Sequence, residues 1–221
     1  MDKMNITIYY ITIWSILLPL VVSILRYKKI GSIYLPFILL IWIGCLNELV
    51  GEIVVSKGYS NAVSSNIYSL IEAIIILWLF RQMDAPRFIK KIFHYVALGF
   101  CIVWTLENVF IGKFGVYFNS YFNMVSGFVI VLISINAINE ILVKEKDLLK
   151  NPLFLLCTGF IIYFTYRTLI EAFWIYGQDI GEQFMSKVFS IHSWINLVCN
   201  IIFALAILWM QKRQAFTLRY S

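Results

Sequence analysis

Charge is what this chain has least of. Asp, Glu, Lys and Arg together make up 14% of its 221 residues against 61% hydrophobic residues, and the mean hydropathy is +0.83. A soluble domain with so few charges would expose an apolar surface and aggregate, so that class is excluded. Histidine is almost missing: only His94 and His192 are present, far apart in the chain. A seven-helix zinc hydrolase needs three His ligands plus an acid around an open coordination position, and haem held between helices needs more His as well, so both are excluded. Cys45, Cys101, Cys157 and Cys199 form no CxxC and lie within apolar runs, where they are expected to be small buried packing residues. Proline is scarce, and only Pro19 falls well inside an apolar run, so an ion site built on broken helices is not indicated. There is no GxSxG, no glycine-rich phosphate loop and no Ser/His/Asp set at one depth. A retinal Schiff base would need Lys near the middle of the last run, whereas Lys187 stands at its start. No cofactor or metal is expected, and no motif specifies an enzyme; a catalytic role would fall to Glu72 or Glu171 as acid or base.

What the chain does have is long apolar runs. They cover about 5 to 25, 32 to 55, 61 to 80, 90 to 111, 117 to 143, 152 to 176 and 184 to 210, each near the roughly 20 residues that a bilayer core requires of a helix. Gly31-Ser32, Lys57-Gly58, Asp84-Ala85-Pro86, Gly112-Lys113, Asn151-Pro152 and Gly177-Gln178 punctuate them. No remaining segment approaches the roughly 50 residues of a separate soluble domain. The expected fold is all-α: a polytopic, seven-helix transmembrane bundle forming one domain over 1–221. The amino terminus, Met-Asp-Lys-Met-Asn, has little basic character and no small-x-small site follows the first run, so that run is expected to be retained as a helix.

Lys and Arg set the orientation. Thirteen of them, Arg26, Lys28, Lys29, Arg81, Arg87, Lys90, Lys91, Lys144, Lys146, Lys150, Lys212, Arg213 and Arg219, flank one side, against Lys3, Lys57, Lys113 and Lys187 on the other. The asymmetry predicts an external N-terminus and a cytoplasmic C-terminus. The net charge of +6 is accounted for by topology, with no nucleic-acid partner implied.

Several runs carry groups that lipid does not tolerate. With about 1.5 Å per residue, Glu48 and Glu52 fall in the outer half of helix 2, Glu72 near the midplane of helix 3, Glu107 and Asn108 at the outer end of helix 4, and Asn119 and Asn123 at the start of helix 5. Arg167 and Glu171 occupy the outer half of helix 6, and helix 7 brings His192, Asn196 and Asn200. The pairs Glu48/Glu52 and Arg167/Glu171, the triplet His192/Asn196/Asn200 and the stripe Ser65, Tyr68, Ser69, Glu72 repeat at helical spacing. A charge at membrane depth costs about 2.5–3.5 kcal/mol, which drives such residues toward a bundle interior or a water-filled cavity. The arrangement predicts a polar pocket open to the outside, lined by Glu48, Glu72, Arg167, Glu171, His192 and Asn196. Plainer readings stand beside it. Glu52, Glu107 and Asn108 are read as wet interface residues, Asn196 and Asn200 as interhelical hydrogen-bond glue, and Glu72 and Arg167 as a buried ion pair. Asn136, Asn139 and Glu140 are placed at the cytoplasmic end of helix 5, and His94 at the interface.

The pattern Asn66-Ile67-Tyr68-x3-Glu72, the Arg167-x3-Glu171 pair and Ile191-His192-Ser193-x2-Asn196-x3-Asn200 resembles small seven-helix integral membrane proteins of Bacteroidota-type bacteria, over most of the chain. That group carries no assigned activity. The resemblance implies a bacterial inner membrane and a link to neighbouring sensor kinases or regulators; it implies no ligand or cofactor.

Three functions are compatible with these residues. The first is a sensory or regulatory module whose pocket takes a small polar ligand, proton or cation, and which signals through a separate cytoplasmic partner. The second is a small-solute or cation transporter with a 3+1+3 helix arrangement, helices 1 to 3 and 5 to 7 sharing orientation. The third is a structural or assembly subunit. The lipid bilayer is a partner in all three.

Overall fold

The computed structural model describes residues 11–12, 14–83, 86, 88–111, 117–144, 147–176 and 182–210. Helix α1, Leu17–Arg26, follows a 3-10 turn at Trp14–Ile16. Part of the first expected span, 5 to 25, lies outside the described residues. Pro19 falls in the first turn of α1, where its missing N–H costs no helical hydrogen bond, rather than deep inside a helix as expected. Helix α2, Leu35–Ser56, begins with Pro36 in its first turn. It stops at Gly58, whose φ of +80° lets Tyr59 N–H turn back to Val54 O at 3.1 Å.

Helix α3 is Ala62–Gln82. Helix α4 is Ile89–Leu106 and continues into a π turn, Glu107–Ile111. Helix α5 is Ser120–Lys144 and α6 is Pro152–Tyr176. The start of α6 is fixed by Asn151, whose Oδ1 accepts from Leu153 N (2.9 Å) and Phe154 N (3.2 Å), with Pro152 supplying a preset φ. Helix α7 is Glu182–Trp209.

Six of these segments, 32–56, 62–82, 89–110, 120–143, 152–176 and 190–209, are long and apolar enough to cross a membrane. Their outer faces carry Leu46, Leu98, Phe128, Trp174 and Leu205, all exposed. Spanning length with apolar outer faces makes this a multi-pass membrane protein.

Short connections make successive helices antiparallel, and each packs on its chain neighbours. The series closes on itself where α1 packs against α7, and α3 also meets α5. That last contact pushes α4 to the outside, where within Ile89–Leu106 only Ile89 and Phe100 are buried. The ring thus joins helices 1 to 3 with 5 to 7 at both seams.

One end of the bundle holds Arg26, Lys28, Lys29, Arg81, Lys90, Lys91 and Lys150, and is the basic end. Next to it the interior is filled by Phe37 of α2, Phe80 of α3, Phe160 and Phe164 of α6 and Phe203 of α7. Phe160 meets Phe37, Phe80, Phe164 and Phe203 at centroid distances of 6.2, 6.1, 6.2 and 5.5 Å. These separations are those of favourable edge-to-face and tilted aromatic pairs. Gly159 makes room for this cluster, since a Cβ there would run into the Phe203 ring. Close approach of backbones at small residues is the usual way for membrane helices to gain dispersion energy.

Candidate functional site

The polar side chains occupy the other half of the bundle. Glu72 stands at the middle of α3, about 12 Å along the helix from Phe80, and Arg167 sits seven residues beyond Phe160 on α6. Arg167 Nη1 donates to Glu72 Oε2 in an ion pair whose side chains are 17% and 8% exposed. Arg167 Nη2 donates to Asn123 Oδ1 at 3.0 Å, and Asn123 Nδ2 donates to Glu171 Oε1 at 2.9 Å. Tyr68 OH donates to the second oxygen of Glu72 at 3.2 Å. One planar guanidinium thus ties α6 to α3 and α5 at once, which the compact ammonium of a lysine could not do with the same geometry. Desolvating each ion costs several kcal/mol, and the added bonds from Arg167 to Asn123 and from Tyr68 to Glu72 offset part of that cost.

A second tier lies nearer the end where α3 begins. Asn66 donates to Tyr117 O (2.8 Å) and accepts from Asn119 N (3.0 Å), while its own carbonyl accepts from Trp104 Nε1 (2.8 Å). Glu107 takes Tyr121 N on one oxygen (2.9 Å) and Phe122 N on the other (2.6 Å). Those amides belong to the first turn of α5 and have no partner within their helix, so a carboxylate from α4 caps α5 and complements its dipole. The π turn begins at this residue. Glu107 and Asn108 are 5% and 7% exposed, which corrects the reading of both as wet interface residues: a helix cap outcompetes water for the carboxylate, and Asn108 Nδ2 turns back to Trp104 O at 2.7 Å.

Helix α7 contributes differently. Asn200 Nδ2 donates to Ser15 Oγ (2.7 Å) and to Asn196 Oδ1 (3.3 Å), binding α7 to the turn before α1, as the glue reading expects. His192 stacks on Tyr166 (6.1 Å, 11°) and leans on Tyr163 (5.9 Å, 38°), with its buried Nδ1 lacking a hydrogen-bond partner among the described residues. Of the six residues expected to line one pocket, Glu72, Arg167 and Glu171 are joined through Asn123. Glu48 is half-buried and within electrostatic range of Glu72 and Glu52. His192 and Asn196 belong to separate contacts on α7; His192 leans on Tyr163, and both rings lie in the field of Arg167.

Sequence reasoning left Asn123, Tyr68, Asn66 and Glu107 out of the site. The spacing Asn119-x3-Asn123 and Tyr68-x3-Glu72 was the available signal. Among the cysteines, Cys45, Cys157 and Cys199 are buried, but Cys101 is exposed on the outer face of α4; a small apolar side chain is as stable against lipid as against protein. Asn136 and Asn139 are exposed on α5, and His94 on α4.

Chemically, two carboxylates, Glu72 directly and Glu171 through Asn123, share one guanidinium, and a third, Glu48, lies within electrostatic range of Glu72. The surplus negative charge suits a proton, a cation or an amine. Comparison with known proteins finds no match to a family model, to a curated sequence or to a solved structure.

Proposed function

We propose that this chain is a seven-span sensory or regulatory protein of a bacterial inner membrane, with its N-terminus outside, whose response element is the Glu72–Arg167–Asn123–Glu171 network. The observation that carries the reading is the sharing of one buried arginine among three helices with more carboxylates nearby than it can neutralise. A purely structural pair needs one partner of each sign. Here a proton or small cation arriving at Glu171 or Glu48 would change which groups hold Arg167, and binding shifts an equilibrium only through such a difference between states. The aromatic packing next to the basic end supports a site entered from the opposite, external side. The thirteen-to-four asymmetry of Lys and Arg supports that orientation. With polar loops this short, output would pass to a separate cytoplasmic protein.

The test is co-purification of the tagged chain from its native membrane in mild detergent, with mass spectrometry against an unrelated multispan control, for wild type and Glu171→Gln. Glu171→Gln leaves the Glu72–Arg167 pair in place. A cytoplasmic kinase or regulator recovered reproducibly, in an amount that the variant changes, supports the proposal. No such partner, together with solute or cation flux in proteoliposomes that Glu171→Gln abolishes, would replace it with a carrier. Unaltered behaviour of the variant in both assays would leave only a structural role for the network.

A further inference from the structure

A second feature lies at the basic end, away from the arginine network. The end of α1 and the start of α2 flank an open groove of about 470 Å³ lined by Ile24, Leu25, Tyr27, Lys28, Lys29 and Trp42. Its composition is split by depth. Ile24 and Leu25 form an apolar wall on the outer face of α1, 57% and 78% exposed, and the two lysines stand in the turn that follows. The opposite wall is held in place. Trp42 Nε1 donates to Ser23 Oγ at 2.9 Å, Ser23 is fully buried and donates in turn to Leu20 O, and the Tyr27 ring stacks on Trp42 at 5.9 Å. The indole is thereby pinned on its inner edge, with its ring flanking the groove.

We propose that this groove binds one anionic glycerophospholipid of the leaflet at the basic end, the phosphate against Lys28 and Lys29 and an acyl chain along Ile24, Leu25 and Trp42. Two ammonium groups directly above an aliphatic and aromatic wall match the two parts of such a lipid, charge to charge and chain to chain. A soluble anion would use the lysines and leave the wall idle; a zwitterionic lipid would use the wall but offset its phosphate with its own ammonium. The fixed Trp42 lowers the ordering cost of binding, which distinguishes this site from basic loops whose attraction to lipid is diffuse.

The experiment is native mass spectrometry of the full chain, delipidated in detergent and titrated with phosphatidylglycerol or phosphatidylcholine. Phosphatidylglycerol is expected to bind in preference to phosphatidylcholine. Lys28→Gln/Lys29→Gln should weaken phosphatidylglycerol about 10-fold, whereas Lys90→Gln/Lys91→Gln, with the same charge change at the same end, should stay within about 2-fold. Trp42→Phe, which keeps an aromatic side chain but loses the indole N–H bond to Ser23, should weaken the lipid without any change in charge. Equal losses in the two lysine variants would mean diffuse attraction and overturn the site. Equal affinity for the two lipids would overturn the headgroup assignment, and displacement of lipid by inorganic phosphate alone would reassign the groove to a soluble anion.

Discussion

The two halves of the bundle hold α3 and α6 to their neighbours by opposite means. Near the basic end, α2, α3, α6 and α7 meet through Phe37, Phe80, Phe160, Phe164 and Phe203, a contact made of dispersion and shape. About two helical turns away, α3, α5 and α6 meet through Arg167 and its acceptors. The five rings of the aromatic half carry no charge under any condition. The polar half contains several acceptors competing for one cation, so a proton or ion can redistribute its bonds. Stability that is indifferent to conditions and stability that depends on them are therefore placed side by side on α3 and α6. A shift at Arg167 would act against a rigid base rather than dissipate in it.

Removing the arginine should give the largest effect. Arg167→Met leaves Glu72 buried without its counter-ion and Asn123 without its donor, a loss of about 3–5 kcal/mol, measurable by unfolding in mixed micelles. The double variant Glu72→Leu/Arg167→Met should regain most of that stability, because an apolar pair of similar volume carries no desolvation cost. It should also lose any dependence on proton or cation concentration. If the single variant unfolds like wild type, the pair does not join the helices and the contrast between the halves collapses.

The matching cut in the other half is Phe160→Ala. It vacates the contact with four rings, yet unfolded membrane helices remain in lipid as apolar as the core, so only the cavity part of the cost applies, about 2 kcal/mol. That loss should be the same across pH and salt. A condition-dependent loss would show that the two halves are coupled rather than separate.

Glu107→Gln probes the polar half without touching Arg167. The amide oxygen keeps one of the two bonds to Tyr121 N and Phe122 N and the charge against the α5 dipole disappears, for an expected loss of about 1 kcal/mol in thermal unfolding. An unchanged melting temperature would mean that water, not Glu107, satisfies the start of α5.

How much of this was readable in the sequence differs between the halves. The six spans lie within a few residues of the hydropathy runs, since lipid imposes length and polarity on every helix alike. The Glu72–Arg167 pair was accessible because two opposite charges at matching depths have few alternatives in a bilayer. Asn123 was not, because depth says nothing about the order of helices around a ring, and only the α5–α6 seam makes it the bridge. Glu107 looked interfacial by depth alone, and its role follows from the fold of the turn onto α5. The phenylalanine cluster was invisible for a different reason. Phe160 and Phe128 occur in equally apolar surroundings, and one is buried while the other faces outward, a distinction that hydropathy cannot make when the solvent is itself apolar.

The smallest effect divides the polar residues among themselves. Asn200 and Ser15 tie α7 to the turn before α1 through one neutral hydrogen bond of 2.7 Å, with no ionisable group in it. Such bonds average about 0.6 kcal/mol in membranes because the separated helices find other partners. A double-mutant cycle of Ser15→Ala and Asn200→Ala should return a coupling of that size, the same at every pH, and leave partner recovery unchanged. In that case α7 is held by glue and the response lies with Arg167. A coupling that varies with pH or cation would instead bring α7 and His192 into the responsive half, since a neutral amide–hydroxyl bond can change with conditions only if the helix carrying it moves.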